Sequence, residues 1–174
     1  MRPVDYRRDI LALDDTALEE FVRQWTCGLT QYHEVERFSG SGDLGRDVVG
    51  FLTKQRHEGP WDNYQCKQYG STLATHIAIA EVGKVLYYSW KGEFTAPSGF
   101  FFVAPRGLNR NLKKLVFKPS EFKSTIINEW DKYCAGSIIN STHIALAVCG
   151  KTAMSKRIRH LISAESIREA HYTV

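Results

Sequence analysis

Two strand-like segments, 46–53 and 62–69, stand on either side of the loop "KQRHEGPWD". Sequential strands with so short a connection pair antiparallel as a hairpin. The pairing also fixes which side chains share a face, because successive residues of a strand point to opposite sides. In "NYQCKQY" (63 to 69), Gln65 and Lys67 therefore point one way, and Tyr64 and Cys66 the other. Placing the loop centre near 57 to 58 sets Asp47, at the start of the first strand, opposite about Gln68 and within a residue or two of Lys67. The expected result is a carboxylate, an amide and an ammonium on one patch.

The rest of the chain reads as mixed α/β. A helix is expected from about Thr16 to Cys27, with Leu18, Phe21, Val22 and Trp25 at helical spacing. "TALE" offers a capping box with Thr16 as N-cap and Glu19 at N3. A short strand is expected near 32 to 38 and a Gly/Ser-rich loop at 39 to 45. Asp43 is expected to hold that loop's turn, and Arg46 is open to either phosphate or water. Helical spacing covers 71 to 89, through Leu73, Ile77, Ala80 and Val85. The apolar run "GFFFVAP" (99 to 105) has the composition of a buried strand. A helix is expected from Ser120, just after Pro119, with Phe122, Ile126 and Trp130 on one face. "THIALAVCG" (142 to 150) fits strand or buried helix alike, and 153 to 170 reads as a basic helix.

At 174 residues the chain suits one domain, with a motif-bearing core at about 16 to 105 and a helical part from about 106 to 174. The tail "SAESIREAHYTV" ends without an evident stop, so a larger protein is compatible with it. No apolar run approaches the roughly 20 residues of a membrane helix, and no signal-peptide stretch opens the chain, so the expected location is cytoplasmic. Cys27, Cys66, Cys134 and Cys149 are scattered without C-x-x-C spacing, which suggests neither a zinc site nor a disulfide framework. The net charge of +4 permits nucleic-acid binding without requiring it. Basic residues thicken at 105 to 118 and 150 to 160.

The loop "GSGDLGRDVVG" is neither G-x-x-x-x-G-K-[ST] nor G-x-G-x-x-G, which argues against P-loop and dinucleotide sites. An acid, an amide oxygen and a lysine suit metal-assisted phosphodiester hydrolysis instead. Mg²⁺ takes oxygen ligands and keeps several waters, so one or two side-chain oxygens suffice.

The order "GDLGRD" (42 to 47), strand, "QCKQY" (65 to 69) resembles the Mrr-type branch of the PD-(D/E)xK restriction-endonuclease-like nucleases. The resemblance implies a restriction-endonuclease-like core, a central mixed sheet flanked by helices. It implies Asp47, Gln65 and Lys67 as active-site residues and Mg²⁺ or Mn²⁺ as cofactor, held by Asp47, Gln65 and the Cys66 carbonyl. The family's first-helix glutamate points, through "LEEFV" (18 to 22), to Glu19, with Glu20 as the alternative. A looser likeness joins "GSGDLGRD", "YQCKQY" and "GKVLYYSW…FFFVAPRG" to the N-terminal nuclease domains of bacterial antiphage effectors. The expected function is cleavage of double-stranded DNA with little sequence preference, in antiviral defence. A sensor domain or activating partner protein and a homo-oligomer are compatible with that setting. Two alternatives remain: a catalytically idle nuclease-like module that binds DNA or protein, and an RNA-cleaving or junction-resolving enzyme of the same fold.

Overall fold

A computed structural model describes residues 6–40 and 42–135. The segments 142 to 150 and 153 to 170 lie outside the described residues. The chain runs through helix α1 (Arg7–Leu11), helix α2 (Asp15–Cys27), strands β1 (Glu34–Arg37) and β2 (Val48–Phe51), a 3₁₀ turn (Arg56–Glu58), strand β3 (Trp61–Cys66) and helix α3 (Thr75–Trp90). Strand β4 (Gly99–Val103), helices α4 (Arg110–Val116) and α5 (Pro119–Asn128) and a π-helical turn (Trp130–Ala135) follow.

The four strands form one mixed sheet in the order β1-β2-β3-β4. β1, β2 and β3 pair antiparallel in sequence, and β4 pairs parallel with β3. The parallel pair needs a crossover, which α3 supplies. Alternation along the strands splits the core in two. Val48, Tyr64 and Cys66 pack with Leu18 and Val22 of α2 on one face. Val49, Phe51, Trp61, Phe100 and Phe102 pack on the other, against Ala78, Ile79, Val82, Val85 and Leu86 of α3. Burial on both faces explains why "GFFFV" is apolar throughout.

Three local expectations are corrected. The N-cap of α2 is Asp14, not Thr16: the Asp14 carboxylate accepts from the Ala17 N–H at 2.7 Å. A carboxylate at the positive end of the helix dipole already satisfies that donor. The capping box is therefore absent, and Glu19 is left for other contacts. Within α2, Leu18 and Val22 are buried, but Phe21 and Trp25 are exposed. They border a groove of about 420 Å³ that also touches Tyr64, Phe101 and Val103.

The third correction concerns register. Val48 stands opposite Tyr64 and Phe51 opposite Trp61. Extending the ladder by one pair sets Asp47 opposite Gln65, not Gln68. The Leu52 N–H donates to the Pro60 carbonyl at 3.1 Å, so the turn is centred on Arg56 rather than on 57 to 58. Arg56 takes the left-handed backbone, φ 51°, that the tight turn demands.

Farther along, α5 starts at Pro119 and buries Phe122 and Ile126 as expected, but Trp130 belongs to the π-helical turn. That turn packs closely on α3. A Cβ at Gly83 would lie 2.4 Å from Cys134 Sγ, so only glycine admits the contact.

Candidate functional site

Asp47, Gln65 and Lys67 meet on the α3 side of the sheet, at the C-terminal end of β3. Asp47 follows the loop 39–45, whose turn is held by Asp43. The Gly45 N–H donates to Asp43 Oδ1 at 2.8 Å, the Arg46 N–H donates to the Asp43 carbonyl, and the Lys84 ammonium reaches Asp43 Oδ1 at 3.1 Å. Gly45 has φ 89°, and a Cβ there would press on Val85 and Lys84 at 3.1–3.2 Å. Glycine at 45 thus lets the loop lie flat against α3 and delivers Asp47 to the sheet.

The Asp47 carboxylate is 8% exposed. Its Oδ2 accepts from Gln65 Nε2 at 2.6 Å and from the Cys66 backbone N–H at 2.8 Å. Burial pushes its pKa up to about 7, against the opposing pull of Lys67 and of the Cys66 N–H. Glu19 and Glu81 add to the rise. Strand pairing thus brings Asp47 inside.

Gln65 is 1% exposed. Its Oε1 accepts from Asn63 Nδ2 at 3.3 Å, and the Asn63 side-chain oxygen is buried without a partner. Amide orientation follows the surrounding network, not the carbon skeleton. Turning both amides over keeps the Asn63–Gln65 bond, with Gln65 now the donor, and brings Gln65 Oε1 to the Asp47 side. That arrangement needs either a proton on Asp47, whose pKa is raised, or a cation between Asp47 and Gln65, because two unprotonated acceptors would otherwise face each other.

Lys67 continues past β3, its N–H donating to the Val103 carbonyl at 2.9 Å. Its ammonium pairs with Glu81 of α3 at 3.0 Å. Burial alone lowers the lysine pKa, but the Glu81 and Asp47 carboxylates outweigh it and the net direction is upward. Lys67 is thus held as a cation. Cys66 points to the α2 face, and burial raises its thiol well above the ordinary range. Its contribution to this site is backbone, not sulfur.

Glu19 lies on α2, across the sheet from the other three. It pairs with Arg37 of β1 at 3.4 Å. Burial raises its pKa, while Arg37 and Lys67 oppose the rise, so its charge is felt at the site without direct contact. Glu20 is engaged within the helix by Arg23 at 2.7 Å. Of the two glutamates, Glu19 is the one electrostatically coupled to Lys67 and Asp47.

Three residues were not singled out by sequence. Glu81 carried no signal beyond its place as a polar residue in an apolar helix. Asn63 sits two residues before Gln65 on the same face, which the strand period could have indicated. Gln68 clamps the end of β3: its Nε2 reaches the carbonyls of Ile10, Leu11 and Leu13 at 2.8–3.2 Å. Arg46, open to either environment from sequence, packs against protein groups. It is buried, its guanidinium lying 4.2 Å from the Phe38 ring centroid and 4.6 Å from that of Phe94, with Nη1 3.0 Å from His57 Nε2. Burial, with Arg46 and Arg56 nearby, pushes His57 down to about 4, so its neutral ring accepts from Arg46.

Among the described residues, no group of three or more His, Cys, Asp or Glu side chains is arranged to hold a metal ion. As the side chains stand, Asp47 faces the Gln65 NH₂; with that amide turned over, one carboxylate and one amide oxygen are hard-oxygen donors of the kind Mg²⁺ or Mn²⁺ takes. No described helix is long and apolar enough to cross a membrane. Comparison with family models, curated proteins and solved structures returned no match.

Proposed function

We propose that the chain is a metal-dependent endonuclease with a restriction-endonuclease-like core, hydrolysing phosphodiester bonds of DNA. The observation that supports this most is the meeting of Asp47, Gln65 and Lys67 on one face at the end of β3. Asp47, Gln65 Oε1 and the Cys66 carbonyl would hold the ion. The donor set fits it: a buried acid with a raised pKa and a reversible amide both gain from a cation between them. The bound metal supplies a water of lowered pKa and positive charge against the phosphate. Lys67 lies within reach of Asp47's field and orients that water or neutralises the charge growing on the phosphoryl oxygens. Glu81 keeps Lys67 protonated and in place. Glu19 adds negative potential from across the sheet. Low sequence preference and a role in antiphage defence follow from the motif resemblance alone.

A second reading is a catalytically idle fold that binds DNA or protein. It is favoured by the internal pairing of each group: Asp47 with Gln65, and Lys67 with Glu81. Incubating supercoiled plasmid with the chain in Mg²⁺, in Mn²⁺ and in EDTA separates the two. Nicking or linearisation that needs the metal, and that is lost in Asp47→Asn and Lys67→Ala, is expected. An intact plasmid under every metal condition would leave the idle fold. RNA and branched DNA in parallel reactions test the remaining substrates.

A further inference from the structure

We infer that the outer face of α4 is a nucleic-acid-binding surface, on which Arg110, Lys113 and Lys114 track the phosphates of a substrate strand and Phe117 stacks on an unpaired base. The inference rests on the nuclease reading for the identity of the ligand, but not for the surface itself.

Residues 110, 113 and 114 fall at i, i+3 and i+4 of α4 and share one face, and Phe117, the C-cap, follows at i+7 with near-helical backbone. The opposite face is fixed by burial: Leu112 and Val116 are in the core. Arg110, Lys113 and Lys114 are exposed. Phe117 is 69% exposed, the highest value among the exposed large hydrophobic side chains described. An apolar ring held in water between lysines gains nothing for the fold. It is suited to stacking, because every base offers a π-face.

Among the described residues no carboxylate pairs with these cations. No Asp or Glu occurs between Glu93 and Glu121. Among the described residues, Arg23, Arg37, Arg56, Lys67, Lys84, Lys118 and Lys132 all pair with carboxylates, whereas Arg110, Lys113 and Lys114 do not. A solvated helix face ordinarily mixes both signs. This one carries cations only, with Arg106 exposed just before it.

The surface also lies at the catalytic end of the sheet. β3 and β4 run parallel, so Lys67 and Val103 leave the sheet at the same end. The loop after β4 is stitched to the loop after β3: the Leu73 N–H donates to the Gly107 carbonyl at 2.9 Å, and the Asn109 N–H to the Leu73 carbonyl at 3.0 Å. Asn109 then caps α4 through the Leu112 N–H and accepts from Thr75 Oγ1 at the start of α3. The basic face is therefore rigidly tied to the chain that carries Lys67.

Fluorescence anisotropy in EDTA, with a labelled oligothymidylate and a duplex of equal length, tests the inference without cleavage. Lys113→Glu/Lys114→Glu is expected to weaken both ligands and to flatten the salt dependence by roughly one to two phosphate contacts. Phe117→Ala is expected to weaken the single strand by about tenfold and the duplex much less. The charge-matched control Lys54→Glu/Lys91→Glu, on residues at the other end of the sheet, is expected to bind like wild type. Wild-type affinity in both α4 variants, or an equal loss in the control, would overturn the surface. Equal losses of the two ligands in Phe117→Ala would overturn the stacking role. If plasmid cleavage fails but this pattern appears, the surface stands and the nuclease reading falls; if cleavage proceeds without the pattern, the reverse holds.

Discussion

The Lys67 ammonium and the Glu81 carboxylate lie 3.0 Å apart, joining the end of β3 to the middle of α3. Both side chains are largely but not fully buried, so the pair is neither a solvated surface bridge nor a sealed core pair. Its effect is to keep Lys67 charged and aimed along the face that carries Asp47.

Replacing Glu81 by Gln keeps an oxygen for the ammonium but removes the charge that raises the lysine pKa. The fold is expected to survive, with cleavage near pH 7 changed by less than about threefold. The alkaline limb of the pH–rate profile is expected to move to lower pH, because Lys67 loses its proton sooner. A profile identical to wild type would remove Glu81 from the site.

Asp47→Asn is expected to lower cleavage at least about 100-fold while leaving the domain folded. Asp47→Ala is expected to lose activity and also about 1–3 kcal/mol of stability, since it orphans Gln65 Nε2 and the Cys66 N–H. Urea titrations of the two variants compare them directly.

Asp47 and His57 pull stability in opposite directions over one pH range. The Asp47 pKa rises from 3.8 to about 7 on folding. Its contribution is therefore fully present below pH 3.8 and lost as pH climbs through 7, by up to about 4 kcal/mol. The His57 pKa falls from 6.5 to about 4, so its contribution is present above 6.5 and lost as pH drops through 4. Wild type is expected to show a flattened pH–stability curve without metal, and Asp47→Asn a curve that rises with pH between 4 and 7. Saturating Mg²⁺ should stabilise wild type most at pH 8, where the carboxylate is charged. Parallel curves for the two proteins would contradict the burial-driven shift at Asp47.

Gln65→Glu sets a second carboxylate against Asp47, where a 2.6 Å hydrogen bond now stands. Without metal the variant is expected to melt below wild type. With Mg²⁺ or Mn²⁺ it should recover and cleave. Gln65→Leu offers no oxygen and should remain inactive at any metal concentration. If both variants lose activity equally and high metal rescues neither, Gln65 does not act through its oxygen.

The sheet face bearing Gln65 and Lys67 was legible because strand alternation leaves no freedom once the strand is identified. Asp47 was legible as their neighbour, but its partner was misplaced by three residues because the turn around Arg56 is shorter than its composition implied. Thr16 looked like a cap because Glu19 follows at the right spacing, yet Asp14 reached the same donor region first. Glu81 and Gln68 were invisible because their partners are distant in sequence: only the packing of α3 brings Glu81 to Lys67, and only the corner between α1 and α2 supplies carbonyls for Gln68. The basic stretch 105 to 118 was read as charge, and its division into a buried Leu112/Val116 face and an outer cationic face needed the helix.

The antiparallel pairing of β2 with β3 has a kinetic consequence. Asp47 and Gln65 sit in one hairpin, which closes a short loop and forms on the order of microseconds. β4 cannot join β3 until α3 has crossed over, a slower and less local event. The acid and the amide are thus expected to meet early, and Lys67 to gain Glu81 only as α3 docks. Folding rates should respond to Val49→Ala in the hairpin more than to Phe102→Ala in β4 for equal losses of stability. The reverse ranking would mean that the crossover nucleates the sheet and the future site closes last.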